Sequence, residues 1–115
     1  MIGIDIVKVS RIGNFLEKFG EKGLDRFLSK NEIDLAGGKI ETLAGFWATK
    51  EAFSKSVGTG IGKDLSFHDM EIWKNDRGQP HLKLSNEKMR QFEIEKIAIS
   101  ITHDGDFAIS VATWK

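Results

Sequence analysis

The chain reads as an α+β domain in which a mainly antiparallel sheet carries a long central helix. Three observations predict this class. Ile2-Gly3-Ile4-Asp5-Ile6-Val7 alternates as a strand does, and the stretch from Ile40 to Val57 spreads apolar and small residues around much of a helical circumference. Near the other end, Ile97, Ile99 and Ile101, then Phe107, Ile109 and Val111, alternate on either side of Asp104-Gly105-Asp106.

In the first strand, alternation sends Ile2, Ile4 and Ile6 to one face and Gly3, Asp5 and Val7 to the other. Asp5 is out of place there, because aspartate disfavours strands and a buried unpaired carboxylate is costly. It is an edge acid facing water, a cap for the following helix, or a functional group. Ile12, Phe15, Leu16 and Phe19 recur at helical spacing and predict a helix ending near Gly20, with Arg11 close to its start. A short helix through Leu24, Phe27 and Leu28 follows, and Ser29-Lys30-Asn31-Glu32 has capping-box spacing for another.

The segment Phe46-Trp47-Ala48-Thr49-Lys50-Glu51-Ala52-Phe53-Ser54-Lys55 places an acid and two bases on an otherwise apolar helix. Glu51 and Lys55 share a face on which Ala44, Ala48 and Ala52 leave room for a ligand or another chain. The plain alternative is a surface pair worth about 0.3–0.5 kcal/mol. Gly58-Thr59-Gly60-Ile61-Gly62 ends this helix, glycine entering positive φ without steric cost. A P-loop fails, since Val57 stands where its first glycine belongs and Asp64 follows Lys63 where Ser or Thr is required. The dinucleotide fingerprint fails because Lys63 replaces its last glycine and a helix precedes it. The loop either only terminates the helix or lets exposed backbone approach a ligand.

Asp69 to Lys74 and His81 to Leu84 alternate around Asn75-Asp76-Arg77-Gly78 and predict a hairpin, with a helix from about Asn86 to Phe92 after it. His103 stands at a strand–turn junction, where it either stabilises the turn or is held for function on a rigid support. His68 and His81 lack such a setting and read as surface or packing residues.

Composition bounds the function. The 115 residues carry 40% hydrophobic content and a formal net charge of zero. That is one compact domain, residues 1–115, with little surplus core, and oligomerisation would help it. Neutrality argues against a nucleic-acid binder relying on a basic surface. Without cysteine there is no disulfide, thiolate metal site or cysteine nucleophile. No apolar run is long enough to span a bilayer and no signal-peptide pattern is present, so a cytoplasmic protein is expected.

Gly3-Ile4-Asp5, Arg11, Lys50-Glu51-Ala52, Gly58-Thr59-Gly60-Ile61-Gly62, Gly78-Gln79-Pro80 and Ser100-Ile101-Thr102-His103 together give the chain its resemblance to the holo-acyl-carrier-protein synthases, small trimeric 4′-phosphopantetheinyl transferases. Each motif alone is weak, and their ordered combination over nearly the whole chain is specific. One position departs. The family pattern AGRFAAKEA is here Ala44-Gly45-Phe46-Trp47-Ala48-Thr49-Lys50-Glu51-Ala52, so Phe46 replaces a basic residue implicated in gripping coenzyme phosphate. Lys39 is the candidate to supply part of that charge.

The resemblance implies a homotrimer of the single-domain phosphopantetheinyl transferase fold with active sites between subunits. It implies transfer of the 4′-phosphopantetheine arm of coenzyme A to a serine of apo acyl carrier protein in fatty acid biosynthesis, releasing adenosine 3′,5′-bisphosphate. Asp5 and Glu51 would hold Mg²⁺, an ion suited to oxygen ligands. Lys55 would contact the pyrophosphate and stabilise the departing oxygen, and His103 would orient coenzyme phosphate. Glu51, Lys55 and His103 form the expected catalytic set, with Gly60, Gly62 and Pro80 beside Lys55 and His103 at the coenzyme. The proton acceptor is Glu51 or a water on the ion. Arg11, and Arg26 on the next helical segment, would dock the acidic carrier; Arg26 equally suits a solvated surface. Lys50 and Asp104 stay outside the expected catalytic core. The rivals are a coenzyme A or nucleotide-binding module without transfer activity and a purely structural oligomerisation domain.

Overall fold

Alternation and helical spacing place the elements closely. The computed structural model describes residues 1–115, in the order β1 (Ile2–Lys8), α1 (Val9–Leu24), α2 (Lys30–Ala36), α3 (Ile40–Val57), β2 (Met70–Lys74), β3 (Pro80–Leu84), α4 (Asn86–Gln91), β4 (Ile97–Asp104) and β5 (Phe107–Trp114). The strands form two hydrogen-bonded sheets rather than one: a three-stranded sheet ordered β1-β5-β4 and the hairpin β2-β3, all antiparallel. The expected break at Gly20 is present, with φ 67 and ψ −170, and a last helical turn then runs to Leu24. Phe27 and Leu28, expected in a short helix, are buried just beyond it. Asp104 belongs to β4, opposite Phe107, which leaves Gly105 and Asp106 as the turn.

α3 lies across all three strands of the larger sheet. Its Ala44, Ala48 and Ala52 are fully buried, so the room they leave is taken by the sheet and not by a ligand. Gly3 shows how close the approach is. A Cβ there would overlap the carbonyl oxygen of Ala52 and stand 2.7 Å from the Ser56 nitrogen. Gly3, Asp5 and Val7 thus face α3, whereas Ile2, Ile4 and Ile6 point away from it and are 70%, 59% and 58% exposed. The register extends this uncovered face across the sheet: Ile4 pairs with Val111, itself opposite Ser100, and Ile6 pairs with Ile109.

Polar groups enclosed by the helix are all partnered. Thr49 Oγ1 donates to the Gly45 carbonyl at 2.8 Å and lies 2.8 Å from Ser110 Oγ, joining α3 to β5. Ser29 and Glu32 form the expected capping box of α2, and Glu32 does more. Its carboxylate accepts from Lys50 Nζ and from the Ile72 amide, each at 2.8 Å, while Lys50 also donates to the Phe27 carbonyl at 2.7 Å. Lys50 and Glu32 have 0% side-chain exposure, so Lys50 is a structural strut and not a phosphate ligand. Burial draws its pKa below the ordinary lysine value, and the hydrogen bond and charge of Glu32 oppose that shift.

Candidate active site

Strand alternation turns Asp5 toward α3, and the helical repeat brings Glu51 and Lys55 to the flank of α3 that meets β1. The Lys55 ammonium donates to Asp5 Oδ1 at 2.8 Å and to the Ile4 carbonyl at 3.2 Å. Asp5 is 15% exposed and Lys55 53% exposed at the side chain. The partner of Lys55 is therefore Asp5 across the strand–helix contact and not Glu51 one turn away. Glu51 is half-buried. Burial raises its pKa above the ordinary glutamate value, the Asp5 carboxylate raises it further, and Lys55 and Arg11 pull it back. Two carboxylates on separate rigid elements, close enough to repel, are a donor set that a hard divalent cation relieves. No third His, Asp or Glu completes a cluster with them, so any remaining ligands would come from substrate oxygens and water.

His103 and Pro80 meet elsewhere. They line a cavity of about 210 Å³ with Glu41, Thr42, Phe46, Lys74, Gly78 and Ile101. In the β1-β5-β4 order His103 lies two strands from Asp5, about 10 Å away across the sheet. Phe46 and Lys55 are nine residues apart on α3, about 13 Å along its axis and half a turn around it. Within one chain, then, the Asp5–Glu51–Lys55 group and the His103–Pro80 cavity occupy opposite flanks of the central helix.

The glycine loop ends α3 as expected, with Gly58 at φ 94 and Gly60 at φ 65. Its amides are already engaged, Gly60 N donating to the Ser54 carbonyl at 3.2 Å and Gly62 N to the Leu65 carbonyl at 3.0 Å. Neither amide is free to cradle a phosphate in this conformation. A coenzyme could use these glycines only through the space their missing side chains leave, which is open at both.

Arg11 and Arg26 lie at the two ends of an aromatic run. The Arg11 guanidinium is 5.7 Å from the Trp47 ring centre and Arg26 is 4.8 Å from that of Phe19. Between them Phe19, Phe15, Phe27 and Trp47 stand in sequence at centroid separations of 4.9, 6.0 and 5.0 Å. Arg11, Lys18, Phe15 and Trp47 line a groove of about 290 Å³. Lys18, seven residues after Arg11, lines the same groove and was not singled out in the sequence, although that spacing on one helix face was a usable signal. His68 and His81 are surface or packing residues as expected: the exposed His68 has its Nε2 2.6 Å from the Asp25 carbonyl oxygen, and the half-buried His81 stacks on Trp73.

A strand-borne aspartate paired with a lysine beside a glutamate on a buried helix, in this two-sheet fold, defines a small α+β domain with its charged group at the strand–helix contact. The chain belongs to the 4′-phosphopantetheinyl transferase superfamily, whose family model matches residues 1–112. Among similar proteins, the holo-[acyl-carrier-protein] synthase of Sulfurimonas denitrificans is 51% identical over 113 residues, covering 98% of this chain and 93% of that protein. That of Wolinella succinogenes is 55% identical over 111 residues, covering 96% and 93%. The crystal structure of the Helicobacter pylori synthase in complex with coenzyme A is similar over 100% of both chains, with TM-score 0.98 and 48% identity. A Bacillus anthracis synthase structure with coenzyme A (3′,5′-ADP) gives TM-score 0.81 at 42% identity, covering 98% of this chain and 93% of that one.

Proposed function

We propose that this chain transfers the 4′-phosphopantetheine arm of coenzyme A to a serine hydroxyl of apo acyl carrier protein, yielding holo carrier and adenosine 3′,5′-bisphosphate. The convergence of Asp5, Glu51 and Lys55 from β1 and α3 carries this reading. In the reaction the serine oxygen forms a bond to the β-phosphorus, and the bond from that phosphorus to the bridging oxygen breaks. The electron pair departs with adenosine 3′,5′-bisphosphate, and the serine proton passes to Glu51 or to a water held beside it. Lys55, more than half exposed beside Asp5, has an ammonium to turn onto the pyrophosphate and stabilise the leaving oxygen. Asp5 and Glu51 fit Mg²⁺, which when bound would supply charge neutralisation at the pyrophosphate.

Two observations support a homotrimer with sites shared between protomers. The sheet face bearing Ile2, Ile4, Ile6, Ile109 and Val111 is uncovered in one chain, and contiguous apolar surface of this kind marks an interface. The two groups of site residues also diverge around α3, whereas only a ribose separates the pyrophosphate of coenzyme A from its 3′-phosphate. One coenzyme would then meet Asp5, Glu51 and Lys55 of one protomer and the partner's His103 and the partner's Pro80, with Gly60 and Gly62 as open flanks. Arg11, Arg26 and Lys18 along the aromatic run offer a cationic, partly apolar face to an acidic carrier helix. No helix is long and apolar enough to cross a membrane; the cytoplasmic role in fatty acid biosynthesis rests on the family resemblance.

The test is the intact mass of apo carrier protein after incubation with coenzyme A, Mg²⁺ and this chain, the expected result being the gain of one phosphopantetheine. Asp5→Ala and Glu51→Ala should each lower the rate by about 100-fold or more while the far-ultraviolet circular dichroism stays native. Undiminished transfer by either variant, or after exhaustive chelation, would remove the metal assignment.

A further inference from the structure

Phe46 leaves a question that the cavity beside it answers. A coenzyme with its pyrophosphate at Lys55 presents a second, separate phosphate on the ribose 3′ oxygen, and no basic residue projects from position 46 to receive it. The cavity of about 210 Å³ on the Phe46 flank of α3 contains one ammonium, that of Lys74 at the end of β2. Lys74 Nζ stands 6.0 Å from the centre of the Phe46 ring, within range of a cation–π attraction that holds an exposed lysine over the cavity. Its charge is uncommitted: the ion pairs of the chain are Lys50–Glu32 and Lys55–Asp5. His103 lines the same cavity from β4, while Lys39, the expected substitute, is not in the lining. Glu41 is, so the cavity suits a phosphate joined to hydrogen-bond donors, such as a ribose hydroxyl and an adenine amine, better than a bare anion.

We propose that Lys74 determines specificity for the 3′-phosphate, the aromatic ring at position 46 presenting from the hairpin the charge that its own helix lacks. The proposal rests on the transferase reading and deepens it by naming the residue that separates coenzyme A from dephospho-coenzyme A. Lys74 acts on binding and takes no part in the chemical step.

The experiment measures kcat/KM of the full chain for both donors, with apo carrier as acceptor, in wild type, Lys74→Met and Lys74→Arg. One charge-assisted phosphate contact corresponds to roughly tenfold or more in affinity. Lys74→Met should therefore lower kcat/KM for coenzyme A by about tenfold or more through KM, change that for dephospho-coenzyme A by less than about twofold, and be restored toward wild type by arginine. Equal losses on both donors, no loss on either, or a loss that arginine does not repair would overturn the assignment. Wild type that transfers from neither donor would instead overturn the transferase reading, so the two failures are distinguishable.

Discussion

Lys50 and Glu51 are neighbours in sequence, yet the helix turns one into the core and the other toward β1, and the difference decides what each can do. Lys50 meets a carboxylate that is itself held by two backbone amides, of Ser29 and Ile72, each at 2.8 Å. Three segments are therefore pinned through one ion pair. Replacing Lys50 by Met would remove the cation and leave Glu32 buried without its counter-charge, a loss of about 3–5 kcal/mol for a pair of this kind. Denaturant unfolding at fixed protein concentration should show that loss as a lower midpoint at unchanged slope. A Lys50→Met chain within about 1 kcal/mol of wild type would mean that the Lys50–Glu32 pair is not what holds these segments together. None of this was legible in the sequence. Capping-box spacing marked Glu32 as a local residue, and no periodicity connects it to a lysine 18 positions later.

At the scale of elements, what repeats along the chain was readable and what joins distant segments was not. Alternation in β1 placed Asp5 on the same face as Gly3 and Val7, and the helical period put Lys55 on the Glu51 face of α3. It could not show that β1 packs so tightly on α3 that Lys55 binds Asp5 instead. The start of α1 gives a second case. Lys8, its N-cap residue, makes no side-chain cap. The missing acceptor comes from the β4–β5 turn, 96 residues away, where the Asp106 carboxylate accepts from Ser10 N at 2.9 Å and from Ser10 Oγ at 2.7 Å. These bonds hold the Asp106 carboxyl below the ordinary aspartate value. The fold thus favours its ionised form, and the contribution is present above the unfolded value and lost as pH falls through the lower, folded one. Asp106→Asn should lower the melting temperature at pH 7, and the gap from wild type should close on acidification below the ordinary aspartate range. Ser10→Ala should weaken that pH dependence. An Asp106→Asn chain that melts with wild type at neutral pH would show that the cap contributes nothing.

For the whole molecule, composition pointed to a small core that gains from association, and the fold shows which surface is left uncovered. It also separates the two groups of proposed site residues, which sequence could name but could not apportion, since only the path of α3 shows Glu51 and His103 on opposite flanks. If each coenzyme is held by Glu51 of one protomer and the partner's His103, two inactive variants can repair each other. In trimers assembled from equal amounts of Glu51→Ala and His103→Ala chains, a site is intact wherever a His103→Ala protomer supplies the glutamate and a Glu51→Ala protomer supplies the histidine. Random assembly makes this true of about one quarter of the sites. Co-expressed or co-refolded mixtures should therefore recover up to about a quarter of wild-type carrier modification, while each variant alone stays near its own floor. The readout separates a shared site from mere dependence of folding on association. In the latter case both chains would assemble normally, yet every site would still lack one residue. Recovery no greater than the average of the two parents, in mixtures shown by native mass spectrometry to contain both chains, would place each site within a single protomer.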